Sequence, residues 1–228
     1  MIPEPGKPRL LDLFCGAGGC TRGYQEAGFY VVGVDINPQP SYCGDEFVQG
    51  DALSYLGGVL TVASNFGRSG WDAFHASPPC QAYTKASGLW DNDHPELVGP
   101  VRSALLATGL PYVIENVKGA PLHDPQVLEG QMFGLNTHRP RLFETNWSFE
   151  APVLRPSPPP QAKMGRPPRP GEAIQVVGHF SDLAAGRRAL GIDWMNRDEL
   201  SQAIPPAYTR HIGEHLLSHI DAQTKAAA

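Results

Sequence analysis

Five short apolar runs in the first half of the chain each stop at a glycine, a proline or an acid, with helical stretches between them. The runs are Leu10–Phe14, Val31–Val34, Phe47–Gln49, Trp71–Ala76 and Tyr112–Ile114. They give way in turn to a glycine cluster from Gly16, to Asp35, to Gly50-Asp51, to Pro78-Pro79 and to Glu115-Asn116. Strands that alternate with helices lie parallel and are joined by right-handed crossovers. The expected fold is therefore α/β, a doubly wound and mostly parallel sheet with helices on both faces. Helices are expected from the glycine cluster to about Ala27, from about Ala52, and before Tyr112. The third is well marked, with Pro95 near its start, Leu97, Val101 and Leu105 at four-residue spacing, and Gly109 just past its end.

A chain of 228 residues with 41% hydrophobic content suits one domain carrying a small insert and is too apolar for disorder. No apolar run approaches the roughly 20 residues that span a bilayer. The opening MIPEPGKPR lacks the apolar stretch of a signal peptide, so a cytoplasmic location is expected, with all four cysteines as thiols. The 25 glycines and 23 prolines require many loops.

The strand–helix pattern breaks after about Asn146. Residues 151–170 hold eight prolines, the basic residues Arg155, Lys163, Arg166 and Arg169, and no acid. So many prolines exclude a helix or a sheet interior and leave a surface excursion, either a solvated linker or a face for a polyanion. Apolar pattern returns at Ile174–Val177 and from Ile192, and a last helix is expected from about Ala207 to Ile220.

The turn Cys15-Gly16-Ala17-Gly18-Gly19 follows the first strand and opens the first helix, where glycines let a ligand approach the helix N-terminus. It does not make the G-x-G-x-x-G of dinucleotide binders, because Thr21 stands at the last position. Asp35, closing the second strand, is placed for a ribose diol, and Asp51, after the third, for an adenine amino group. A nucleoside cofactor without a pyrophosphate, such as S-adenosylmethionine, fits better than NAD.

Cys80 leaves the fourth strand behind two prolines that stiffen the loop, at the sheet edge where α/β proteins build their sites. Glu115 leaves the fifth strand at the same edge, so the fold should bring the two together. Cys15, Cys20 and Cys43 read instead as small buried hydrophobes. Pro140 holds Arg139 and Arg141 extended, with both guanidinium groups on one face.

Asp12-Leu13-Phe14-x-Gly16-x-Gly18-Gly19, Pro79-Cys80-Gln81, Glu115-Asn116-Val117 and Arg139-x-Arg141 together resemble the ordered motifs of the DNA cytosine-5 methyltransferases. The resemblance spans about residues 9 to 145 and resumes at about 195 to 217. It implies a Rossmann-like fold of the S-adenosylmethionine-dependent methyltransferase type, acting on double-stranded DNA as a monomer, with no metal and no membrane. By that resemblance Cys80 is the nucleophile at cytosine carbon 6 and Glu115 holds ring nitrogen N3 and the exocyclic amine. Arg141 contacts the cytosine carbonyl, Arg139 holds the catalytic loop or substrate, and Asn116 braces the Pro79-Cys80 loop. Phe14 stacks on adenine, and Gly16, Gly18, Gly19, Asp35, Ile36, Asp51, Ala52 and Pro78 complete the cofactor set. Gln81, Lys85, Arg155, Lys163, Arg166 and Arg169 are the DNA-facing residues it implies, on local positive charge within an acidic chain of net charge −5.

The same resemblance divides the chain into a catalytic and cofactor-binding part at 1–145, a reduced target-recognition region at 146–193, and a returning C-terminal segment at 194–228. That region is shorter than the family's, which implies a short target or weak specificity and suits a phage or a bacterial restriction–modification setting. The family usually has glycine and an aromatic residue before Pro-Cys, where this chain has Ser77 and Pro78. Thr137 replaces its usual glutamine, and Ser201-Gln202-Ala203 replaces its Gly-Asn-Ser. An RNA cytosine-5 methyltransferase, with tRNA as substrate, and a catalytically silent cofactor- and DNA-binding protein are the alternatives. His211-Ile212-Gly213-Glu214-His215 matches a zinc-protease string, but Gly213 and the position of the segment favour a histidine-bearing surface helix.

Overall fold

The computed structural model describes residues 6–66, 70–83, 95–153, 159–163 and 166–227. Among these, seven strands form one sheet: β1 (Arg9–Leu13), β2 (Tyr30–Asp35), β3 (Glu46–Gln49), β4 (Ala73–Ala76), β5 (Tyr112–Asn116), β6 (Gln126–Leu128) and β7 (Arg141–Thr145). The helices are α1 (Gly19–Ala27), α2 (Ala52–Phe66), α3 (Val98–Ala107), α4 (Leu183–Leu190), α5 (Arg197–Gln202) and α6 (Pro206–Ala227). Strand order is β3-β2-β1-β4-β5-β7-β6, with β1 to β5 paired in parallel and β7 antiparallel to both its neighbours. The chain thus winds outward from β1 to β3, then crosses back to lay β4 on the other side of β1.

Both sheet faces are covered. Leu11, Leu13, Val32, Val34, Phe74 and Ile114 meet Leu56, Val101 and Leu105 of α2 and α3 on one face. Leu10, Val31, Ala73 and Val113 meet Tyr24 of α1 and Tyr208, Ile212 and Leu216 of α6 on the other. Strands buried on both sides explain the continuous apolar runs in the sequence.

Helices α1 and α6 approach closely at two glycines. A Cβ on Gly23 would run into Thr209 Oγ1 and the Pro206 carbonyl, and one on Gly213 would lie 2.7 Å from the Ala27 Cβ. The Thr209 hydroxyl uses that proximity to donate to the Cys20 carbonyl at 2.8 Å. Gly213 is therefore a packing residue, although it breaks helix propensity.

Several expectations shift. β4 starts at Ala73 rather than Trp71, because Asp72 accepts the Arg9 amide at 2.6 Å and Trp71 lies under the Arg9 guanidinium, 4.4 Å from the ring centre. α6 continues seven residues past Ile220, through an exposed, alanine-rich end whose helix propensity suffices without a packed face. Ile174 and Val176 point inward as the alternation suggests, yet they join no strand; Ile174 makes only an isolated bridge to Thr137. They belong with Phe180, Ala189, Leu190, Ile192, Met195 and Leu200 to a third small core that also takes in Ala17. Trp147 and Phe149 pack into the core beneath α6. Packing is therefore continuous across residues 145–146 and across 193–194.

Replacing Gly23 by alanine is expected to destabilise the protein by about 1–3 kcal/mol, through overpacking of α1 on α6. A urea titration should show a lower midpoint with an unchanged slope.

Candidate active site

The reversal of winding between β1 and β4 opens a crevice at the carboxyl ends of the strands, where open α/β sheets bind ligands. Every candidate strand end faces this edge. Leu13, Asp35 and Gln49 end β1, β2 and β3, and Ala76 and Asn116 end β4 and β5.

On the β1–β3 side, Phe14 turns the chain with φ 60°, a left-handed conformation costly for a side chain of this size. Gly16 follows at φ 50° and Gly18, at φ 89°, caps α1. Around a Cβ built on Gly16 there is nothing within 4 Å, so the turn is open there. Gly18 and Gly19 are small for another reason: their Cβ positions lie 2.8 Å from Cys43 Sγ and 2.5 Å from the Ile204 carbonyl. Asp35 holds the turn, accepting from the Gly16 amide at 3.0 Å and from the Asn37 amide at 2.9 Å. Asp51 is exposed, and its Oδ1 accepts the Ser54 amide at 2.8 Å, which caps α2 and keeps the carboxyl below its ordinary range. Ile36, directly after β2, is 65% exposed. Ala52 is buried in the core.

Beneath the turn, Asp12 is fully buried and accepts the Thr21 hydroxyl at 2.6 Å, while its Oδ1 has no protein partner. Burial pushes its pKa up to about 7, Thr21 works against that, and the charge of Asp35 adds to it.

On the β4–β5 side, the parallel register sets Ala76 beside Ile114, so Ser77 emerges next to Glu115 and Cys80 a few residues further on. Asn116 donates to the Pro78 carbonyl at 2.9 Å and ties the proline loop to β5. Pro78 is buried, Pro79 is exposed and Cys80 is half-buried. Burial and the charge of Glu115 push the Cys80 thiol up, while Arg141 pulls it down. The Glu115 carboxyl is itself raised by burial and lowered by Arg141, whose Nε lies 3.1 Å from Oε1. Cys80, Glu115 and Arg141 thus form one electrostatic cluster.

Arg139 does something else. It is almost wholly buried and donates to the Val176 carbonyl at 2.6 Å and the Ser201 carbonyl at 2.8 Å. Its amide is held by Glu129 and its own carbonyl by the Tyr208 hydroxyl, both at 2.9 Å. Burial and the neighbouring Arg141 charge bring its pKa down to about 9, so it remains a cation at neutral pH. The residue clamps the insert and the C-terminal segment to the sheet.

Of the candidate DNA-facing residues, Gln81, Lys163 and Arg169 are exposed. Arg166 is committed to Glu172 through bonds of 2.7 and 2.6 Å, and Glu172 also accepts the Arg169 amide at 2.8 Å. Glu172 lies just beyond the acid-free stretch, which makes this part of the insert less positive than its composition suggests. Lys85 and Arg155 lie outside the described residues. On α6, His211 bonds the Glu150 carbonyl at 2.7 Å and His219 stacks on Trp147, so these rings serve packing. Two residues not singled out in the sequence touch the site: Trp194, which donates to the Ala17 carbonyl at 2.9 Å, and His75, 2.9 Å from the Ser77 hydroxyl. A titratable residue within the apolar run Ala73–Ala76 was the available signal for His75.

No protein-family model matches the chain. Over 125 residues it is 31% identical to the type II methyltransferase M.AquIA of a Picosynechococcus species, covering 49% of each protein. The chain thus spans about half the length of the curated relative it matches. Among solved structures it is similar to a DNA modification methyltransferase encoded within an E. coli prophage, at a TM-score of 0.65 and 14% identity over 94% of this chain and 100% of that one. It is also similar to the S. pombe Dnmt2 methyltransferase, at 0.58 and 13% over 94% and 99%, and to the Entamoeba histolytica methyltransferase EhMeth, at 0.60 and 11% over 94% and 99%. The fold is the Rossmann-like α/β fold of S-adenosylmethionine-dependent methyltransferases.

Two outcomes follow from the buried charges. Arg139→Met leaves the Val176 and Ser201 carbonyls without a donor and should cost about 2–4 kcal/mol in chemical denaturation, with residues 174–203 becoming sensitive to protease in the native state. Asp12→Asn keeps the Thr21 bond and removes a titration whose folded pKa is raised. Such a group favours the fold below its ordinary value near 3.8 and loses that contribution as pH rises toward about 7. The variant should therefore match the native protein in stability at pH 4 and exceed it at pH 8, measured by thermal unfolding across pH.

Proposed function

We propose that this chain transfers a methyl group from S-adenosylmethionine to carbon 5 of cytosine in DNA, with Cys80 as the nucleophile. The observation that carries the proposal is the meeting of half-buried Cys80, buried Glu115 and Arg141 in one electrostatic cluster at the β4–β5 edge, on the same sheet edge as the open turn at Gly16. The similarity to the type II methyltransferase M.AquIA over half the chain supports methyl transfer.

The β1–β3 side fits an adenosyl group by its donor and acceptor chemistry. Asp35 retains lone pairs for a ribose diol, and Asp51 keeps an oxygen for the adenine amine after capping α2. Phe14 and Ile36 supply apolar faces, with Gly16, Gly18 and Gly19 lining the turn; Ala52 and Pro78 support it from within the core. When bound, S-adenosylmethionine supplies an electrophilic methyl on a sulfonium centre.

The chain's own residues prepare the cytosine. The base must leave the duplex to reach the crevice. The Cys80 thiol gives its proton to water, and the thiolate adds to carbon 6 as N3 takes a proton from Glu115, so carbon 5 becomes enamine-like. Once carbon 5 has taken the methyl, with the demethylated cofactor as leaving group, water takes the carbon 5 proton, N3 returns its proton to Glu115, and the restored ring double bond expels the Cys80 thiolate. Protonation of Glu115 serves the first step twice: it provides the N3 proton and removes the negative charge that holds the Cys80 thiol up. Arg141 then remains as counter-ion to the thiolate, and its guanidinium is placed for the cytosine carbonyl. Arg139 and Asn116 fix the surrounding loops. Gln81, Lys163 and Arg169 are candidates for the DNA backbone, as are Lys85 and Arg155, which lie outside the described residues. Phosphate contacts of this kind position a duplex without reading its sequence.

The test is transfer of labelled methyl from S-adenosylmethionine to unmethylated duplex DNA, with tRNA in parallel. The native protein should label DNA as 5-methylcytosine, and Cys80→Ser should lower the rate by at least about a thousandfold. Transfer only to tRNA, or undiminished transfer by Cys80→Ser, would overturn the proposal.

A further inference from the structure

A row of polar groups runs under the sheet edge to Glu115. The Tyr24 hydroxyl lies 2.9 Å from His75 Nδ1, and His75 Nε2 lies 2.9 Å from the Ser77 hydroxyl. The β4–β5 register, with Ala76 beside Ile114, sets Ser77 next to Glu115 on the same face of the sheet, where its hydroxyl lowers the Glu115 pKa. Tyr24 and His75 are fully buried, His75 between apolar neighbours in β4. Such a position is paid for only when both ring nitrogens are satisfied.

The direction of the protons follows from the ends. Burial holds the His75 ring neutral, with its pKa down to about 3, so one nitrogen donates and the other accepts. Tyr24 stays protonated, its pKa raised far up by burial, and among the described residues its hydroxyl hydrogen-bonds His75. Its hydroxyl therefore donates to Nδ1, which puts the ring proton on Nε2. Nε2 donates to the Ser77 oxygen, which frees the Ser77 proton to turn toward Glu115, with Cys20 Sγ, 3.9 Å from the hydroxyl, as its other neighbour. The reverse order would strand the Tyr24 proton and turn Ser77 lone pairs toward a carboxylate.

We propose that Tyr24, His75 and Ser77 form a one-way donor chain that positions the Glu115 carboxyl, with His75 and Ser77 as positioning residues for the reaction described above. The proposal rests on that reading of Glu115. Arg141 Nε lies 3.1 Å from Oε1 and Ser77 stands beside the carboxyl in register, so a proton on Glu115 is directed away from both. The charged and titratable groups that act on or feel Glu115 are Cys80 in the proline loop, Arg139 and Arg141 before and in β7, Cys20 on α1 and Asp12 on β1. Ser77 is the neutral donor among its partners, so removing its hydroxyl changes Glu115 without changing any charge. Ser77 also stands where the resembled family usually has glycine, so this hydroxyl is a feature of the present chain.

The experiment is a carbon-13 NMR titration of glutamate carboxyls in the full chain, with the Glu115 signal assigned by its loss in Glu115→Gln. Loss of the Ser77 donor should raise the Glu115 midpoint by about one pH unit in Ser77→Ala. Ser77→Thr, which keeps a hydroxyl, should return it to the native value. His75→Leu should raise it as well; if that variant does not fold, Tyr24→Phe should show a smaller rise. In methyl transfer, Ser77→Ala should lower kcat on the order of tenfold with KM for S-adenosylmethionine nearly unchanged. A Glu115 midpoint that stays at the native value in Ser77→Ala overturns the donor chain. The titration decides this whether or not methyl is transferred, while a native protein that labels no DNA overturns the reading of the site.

Discussion

The guanidinium of Arg139 is the point on which three separately folded stretches depend. One buried cation joins the loop before β7, the Val176 carbonyl of the insert and the Ser201 carbonyl near the end of α5. Other bonds join the insert to the loop before β7, among them Thr137 Oγ1 to the Ile174 carbonyl and the Ile174 amide to the Asn136 carbonyl, and its second half has a core of Ile174, Val176, Phe180 and Leu190. A charged donor to two carbonyls is stronger than a neutral one and is directional, so it sets where these stretches sit as well as holding them. Arg141, two residues on, then enters β7 and reaches Glu115. The clamp and the site are thereby built from one tripeptide.

That arrangement concentrates unfavourable burial at the crevice. Asp12, Cys80 and Glu115 are all pushed toward their neutral forms, chiefly by desolvation. Each would be more comfortable as an amide, an alanine or a solvated group. A cluster of raised acids and a raised thiol on one sheet edge marks that edge as a candidate functional site. The compensation is local: Thr21 for Asp12, and Arg141 and Ser77 for Glu115.

Much of residues 9–116 was legible because each signal there is local. Strands β1 to β5 announced themselves by apolar runs, and their ends by Gly16, Asp35, Pro78 and Glu115, so the edge that gathers these residues followed from the α/β pattern alone. The antiparallel pair β6–β7 was not legible, since a three-residue strand ending at Leu128 carries no periodicity. Helices α4 and α5 were missed although their caps are written in the chain. Asp182 accepts the Ala185 amide, and Asn196 with Glu199 makes a capping box. Their apolar faces are too short to show a helical period. The positive charge of the insert was overestimated for a different reason: the acid that neutralises Arg166 sits six residues away, at Glu172. Pairing across a turn is a tertiary fact that composition does not contain.

The small core of the insert links the two halves of the crevice. Ala17, in the glycine turn, packs among Ile174, Val176 and Met195, and its carbonyl takes the Trp194 indole proton. The next glycine but one, Gly19, leaves no room for a side chain against Ile204. The turn that opens at Gly16 is therefore closed on its other side by the returning C-terminal segment. Strain at Phe14, at φ 60°, is held by this packing and by Asp35, because a left-handed phenylalanine persists only where its surroundings over-determine it. The third core thus does for the turn what Arg139 does for β7: it fixes a short irregular segment whose own backbone would not hold the shape.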